Sequence, residues 1–73
     1  MRINKIQEIL VPYYEGVSIV PNVSIDDELI RAVELMLDHN LERITVFGNE
    51  KVVGMVQLKD ALEMLGLRTI FER

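Results

Sequence analysis

The chain has 73 residues, of which 49% are hydrophobic and 27% charged; 12 acidic and 8 basic side chains leave a formal net charge of -4. That length holds one small domain, and the composition is globular rather than disordered. With no cysteine and a single histidine, disulfides, thiolate metal sites, a cysteine nucleophile and a multi-histidine zinc site are excluded, and a Ser-His-Asp triad is disfavoured.

In chain order, Ile3, Ile6, Ile9 and Leu10 recur at helical spacing and predict a short amphipathic helix that stops before Pro12. Its only cations are Arg2 and Lys5, and it carries no tryptophan, so it reads as a capping helix that packs on protein rather than on a lipid surface. Tyr13 to Gly16 read as a loop. Val17-Ser18-Ile19-Val20 is a short β-branched run closed by Pro21-Asn22, and predicts a strand at the edge of a ladder. Ser24 to Glu28 have the chemistry of a helix start, with Ser24 or an aspartate as the cap and the acidic cluster at the positive end of the helix dipole. Leu29, Val33, Met36, Leu37 and Leu41 then repeat at helical spacing, widened by Ile30, with Arg31, Glu34 and Asp38 opposite. This helix is expected to end near Asn40 in a left-handed residue.

Arg43 to Phe47 predict a second strand, Gly48-Asn49-Glu50 a turn, and Lys51 to Val56 a third strand, so the pair reads as a hairpin. Gly54 inside a strand marks a close approach by another backbone or by a ligand. Gln57 to Asp60 lead into a last helix with Leu58, Ala61, Leu62 and Leu65 on its apolar face and Gly66 as its stop. Leu67 to Arg73 show no clear period. The expected order is helix, strand, helix, strand, strand, helix, within one domain spanning 1–73.

An acidic chain without a basic cluster is a poor binder of nucleic acid. No apolar run approaches the roughly 20 residues of a membrane span, and Met1 to Glu8 lack the apolar stretch of a signal peptide. The cytoplasm is therefore the expected compartment. No nucleophile stands beside a base and no glycine-rich phosphate loop is present, so an enzyme is not expected. His39 near a helix end reads as a surface residue favoured by the dipole, and the methionines read as packing. A domain of this size buries only about 60% of its unfolded surface, so association with a second copy or a larger assembly is its expected support.

Taken together, Val17-Ser18-Ile19-Val20-Pro21, Ala32 to Met36 with His39-Asn40-Leu41, Ile44-Thr45-Val46, and above all Val53-Gly54-Met55-Val56-Gln57-Leu58-Lys59-Asp60 resemble one CBS repeat, the module named after cystathionine β-synthase. The match covers about 5–65. The resemblance implies an α+β fold: a βαββα unit with an N-terminal capping helix and two helices on one face of a small sheet. Such repeats work in pairs, and this chain has one, so the resemblance implies a homodimer that forms the missing half with a second copy. Met36, Leu37 and Leu62 are the candidate interface residues. Many members bind AMP, ADP, ATP or S-adenosylmethionine as a regulatory ligand, without a required cofactor or metal. By this likeness Asp60 takes the ribose hydroxyls. Gln57 stands where many members carry Ser or Thr for a phosphate contact. Ile19, Val20 and Pro21, with Ile44, Thr45 and Val46, line the base side, and Gly54 belongs to the same closing motif.

The sequence departs from the pattern at Gln57, at Thr45 (commonly Pro) and at Gly48 (often acidic). Bland readings stand beside these. Asp60 also serves as an ordinary helix-start carboxylate, and β-branched residues in short strands are usually core. The expected function is a non-catalytic, ligand-sensing, homodimeric module; the alternative is a structural dimerisation domain that binds no ligand.

Overall fold

The computed structural model describes residues 6–66. A 3₁₀ turn, Ile6–Ile9, leads to β1 (Asn22–Ser24), α1 (Leu29–Asp38), β2 (Arg43–Gly48), β3 (Lys51–Gln57) and α2 (Leu58–Leu65). The strands lie in the order β1-β2-β3, with β1 parallel to β2 and β2 antiparallel to β3. The fold is α+β, and the strand and helix order from β1 onward is the expected βαββα. The N-terminal helix is a single 3₁₀ turn within the described residues; Ile3 lies outside them. Its Ile6 is fully buried and belongs to the core.

Alternation along the sheet decides which face the helices cover. Ile44 and Val46 of β2, Val23 of β1 and Val56 of β3 join Leu29, Ala32, Val33 and Met36 of α1 and Ala61 and Leu62 of α2 in one buried cluster. Both helices therefore sit on one face of the sheet. Thr45 and Met55, paired across the hairpin, face the other way and are also buried. The Ser18 carbonyl lies over that second face, since it accepts a 2.8 Å hydrogen bond from the Thr45 hydroxyl.

The expected strand at Val17–Val20 is displaced: β1 begins on the far side of Pro21. The backbone of 17–20 spends its hydrogen bonds elsewhere. The Ser18 hydroxyl donates to Val20 O (2.7 Å) and accepts from Val20 N (3.2 Å). Asn22 Nδ2 donates to Ile19 O (2.7 Å), and Tyr13 Oη donates to Val17 O (2.6 Å). Local side-chain bonds of this kind compete with a ladder. Proline has no N–H to give one, so pairing starts at the next residue, Asn22 against Thr45.

The helix start is likewise one turn later than its capping chemistry. Asp27 Oδ2 accepts from Ser24 N (2.8 Å) and Ser24 Oγ from Asp26 N (3.1 Å), which closes a turn over 24–27 before α1 begins at Leu29. The other end is as expected. Asn40 is left-handed (φ 59°), Leu41 N–H donates to Met36 O (2.7 Å) and Asn40 N–H to Leu37 O (3.3 Å), the double bond pattern of a Schellman stop. His39 is exposed, with Nδ1 3.0 Å from Leu35 O. Gly66 closes α2 with φ 74°.

In the hairpin, Gly48 pairs with Lys51, leaving Asn49 (φ 53°) and Glu50 (φ 66°) as a two-residue loop of the primed type that suits strand twist. Pairing then slips: Phe47 faces Val52 but Val46 faces Gly54, so Val53 is an extra residue in β3.

Candidate functional site

The most specific sequence motif lies at the junction of β3 and α2. The Gln57 backbone is still extended (φ -95°, ψ 139°), and its side chain makes no bond to the helix amides. Instead Gln57 Nε2 donates to Asp60 Oδ2 at 3.2 Å, and both residues are half-buried. A carboxylate has acceptor sites on both oxygens, so Asp60 keeps capacity beyond this bond. Leu58 N–H donates to Glu42 O (2.8 Å), which ties the start of α2 to the residue before β2. Gln57 is also the cross-strand partner of Arg43. These links bring Glu42, Arg43, Gln57, Leu58, Lys59 and Leu62 around an open concavity of about 340 Å³.

Arg43 is the distinctive side chain of this wall. Its guanidinium carbon lies over the Tyr14 ring, 5.8 Å from the centroid, within cation–π range. Its Nε is buried and has no hydrogen-bond partner among the described residues. With Lys59 and Arg43 against Glu42, the wall carries two cations, one carboxylate and the Gln57 amide. Such a surface offers donors to an anionic or hydroxyl-bearing group.

The remaining sequence candidates occupy other places. Ile44 and Val46 turn their side chains into the helix-facing core and, at 1% and 0% exposure within the central strand, offer no open surface to a ligand. The Thr45 hydroxyl is buried and committed to Ser18 O. Ile19 and Val20 are exposed and Pro21 half-buried; they adjoin Thr45, since Ser18 and Asn22 on either side of them both meet it. Gly54 is answered by backbone: a Cβ there would stand 2.6 Å from Val11 O and 2.8 Å from Leu10 Cγ. Val11 and Met55 exchange two 2.9 Å backbone bonds beside it. Gln57 and Asp60 thus meet, the Ile19–Pro21 and Thr45 group gathers two residues up β2 from Arg43, and Gly54 serves the N-terminal segment.

Of the candidate interface residues, Met36 is fully buried and Leu62 is 7% exposed within one chain, so neither has appreciable surface to give a second copy; Leu37 is 46% exposed. Ile30, one heptad before Leu37 on α1, is 41% exposed.

Sequence reasoning did not single out Arg43, Glu42, Lys59 or Tyr14. Lys59 lies within the closing motif, between Gln57 and Asp60, but carried no assigned role there. Arg43 enters through its register opposite Gln57, which depends on the extra residue Val53. A second concavity, of about 380 Å³ between the β1–α1 turn and the hairpin loop, is lined by Ser24, Asp26, Asn49 and Glu50 among others. Among the described residues no helix is long and apolar enough to cross a membrane, and no three His, Cys, Asp or Glu gather as a metal site. No family model matches the chain, and neither does any curated protein or solved structure.

Proposed function

We propose that this chain is a CBS-type sensor module, non-catalytic and homodimeric, that binds an adenosine-containing ligand at the β3–α2 junction. The observation that carries the reading is the bonded Gln57–Asp60 pair beside a concavity walled by Arg43 and Lys59. Asp60 accepts from ribose hydroxyls, and the two cations face the phosphate or other charged end. Ligand pockets generally run from about 300 to 1,000 Å³, so an open hollow of about 340 Å³ seats part of such a molecule. A second copy then supplies the remaining wall, and ligand biases how the two copies pack.

The test is thermal stability of the chain with AMP, ADP, ATP, adenosine or S-adenosylmethionine at millimolar concentration, for wild type and Asp60→Ala. Ligand at a hundred times its Kd adds about 2.7 kcal/mol to stability. For a domain of this length that raises Tm by roughly 10–20 °C. Asp60→Ala removes a charge-assisted bond and weakens binding by about ten- to a hundredfold. No shift with any of the five ligands would defeat the sensor reading and leave the structural dimer, to which the exposed Ile30 and Leu37 on α1 lend support.

A further inference from the structure

The segment from Val11 to Ser18 crosses the sheet with three ties. Val11 exchanges two backbone bonds with Met55, Tyr14 lies against the Arg43 guanidinium, and Ser18 O receives the Thr45 hydroxyl. Two of these ties end on Arg43 and Thr45, alternate residues on one face of β2, and Met55 is the cross-strand partner of Thr45. Only the Tyr14 tie touches a side chain of the concavity wall. Tyr14 is itself 53% exposed, so hydrophobic burial alone does not account for its placement.

Arginine carries a long, rotamer-rich stem, and a binding site that must freeze it loses affinity. The guanidinium offers five N–H donors around its planar edge and a π-face that stacks on aromatic rings. Tyr14 holds Arg43 through a ring contact and consumes no N–H donor by doing so. The buried Nε, which has no partner among the described residues, is what such a hold leaves over, because a donor excluded from water and without an acceptor is costly unless a further group completes it.

We propose that Tyr14 is the positioning residue of this site: its ring fixes the Arg43 guanidinium so that the free donors are presented, already ordered, to an anionic group of the ligand. The ring, not the phenol hydroxyl, does this, since Tyr13, not Tyr14, makes the hydroxyl bond of the loop. The inference rests on the reading of the concavity as the ligand site, and names the charged part of the ligand as what Tyr14 serves.

Two measurements separate the inference from that reading. The first needs no ligand: the Arg43 Nε–H resonance, identified by its loss in Arg43→Lys, is followed by NMR. In wild type and in Tyr14→Phe it is ring-current shifted and slow to exchange with solvent. In Tyr14→Ala it moves to the free-arginine position and exchanges fast. An Nε–H signal unchanged in Tyr14→Ala overturns the inference, whatever the chain binds. The second is calorimetric titration with ATP and with adenosine. Tyr14→Ala weakens ATP by about three- to tenfold, leaves adenosine unchanged, and is rescued by Tyr14→Phe. Equal losses for both ligands also overturn it, because a merely structural role would not distinguish charged from neutral. If wild type binds neither ligand while the NMR result holds, the adenosine reading fails and the ordering of Arg43 by Tyr14 stands.

Discussion

Gly54→Ala tests the architecture at its tightest point. The added Cβ would lie 2.6 Å from Val11 O, 2.8 Å from Leu10 Cγ and 2.9 Å from Leu10 Cδ1. The leucine can turn away, but the carbonyl cannot, because Val11 is pinned to Met55 by bonds in both directions at 2.9 Å. Relief comes from one of two movements. Either the packing is strained, at about 1–3 kcal/mol for an overfilled site, or the N-terminal segment lifts from β3 and gives up both bonds. Each such bond has a net worth of about 0.5–1.5 kcal/mol, and the lift also loosens Ile6 in the core. The gain from a less flexible unfolded chain, about 0.4–1 kcal/mol for Gly→Ala at a compatible site, is cancelled here because an L side chain is strained at φ 158°.

The net expectation is a loss of about 1–3 kcal/mol, or roughly 4–24 °C in Tm for a domain of this length. A chain of this size has of order 4–11 kcal/mol in all, so the change is readily seen in urea or thermal unfolding followed by circular dichroism. A second variant locates the strain. Leu10→Ala in the Gly54→Ala background removes the two side-chain contacts and leaves the carbonyl, so it recovers little. A Tm for Gly54→Ala at or above wild type would refute the reasoning, and full recovery with Leu10→Ala would move the cause from the backbone to the leucine.

Glu50→Gly should raise stability by about 1 kcal/mol, since a side chain at φ 66° is strained and glycine is not; a Tm rise of roughly 4–8 °C in a thermal melt checks it. Met36→Ala should cost about 2–5 kcal/mol by leaving a cavity in the single-chain core. Leu37→Gln should change the unfolding free energy by less than about 1 kcal/mol while weakening self-association in sedimentation or light scattering. Equal effects of the Met36 and Leu37 substitutions on association would contradict the different burial of these neighbours.

The parts of the fold that were legible from sequence are those where local chemistry and tertiary packing agree. Asn40 and Gly66 stop their helices because a left-handed residue is needed at each place and both types tolerate it. The α1 stripe of Leu29, Val33 and Met36 is buried because helical spacing puts them on one side. The first strand was misplaced for the opposite reason. Val17 to Val20 have strand composition, but Ser18, Tyr13 and Asn22 offer their backbone closer partners than a neighbouring strand does. Composition registers preference for an extended shape, and not whether a partner is there to pair with.

The site was legible only in its contiguous part, Gln57 to Asp60, and the reason lies in one inserted residue. Counting outward from the Asn49-Glu50 loop, a regular hairpin would set Arg43 opposite Val56 and Ile44 opposite Met55. The extra Val53 advances β3 by one, so Ile44 meets Val56 and Arg43 meets Gln57. In a sheet a one-residue slip exchanges the two faces. Without the bulge, Met55 would turn toward the helices and Val56 toward the Ser18 side. With it, the core receives Val56, and the same shift brings a cation opposite the amide at the head of α2. The register that completes the core is therefore also the register that assembles the Arg43–Gln57 wall. A substitution that removes the bulge would be felt in stability and at the concavity together.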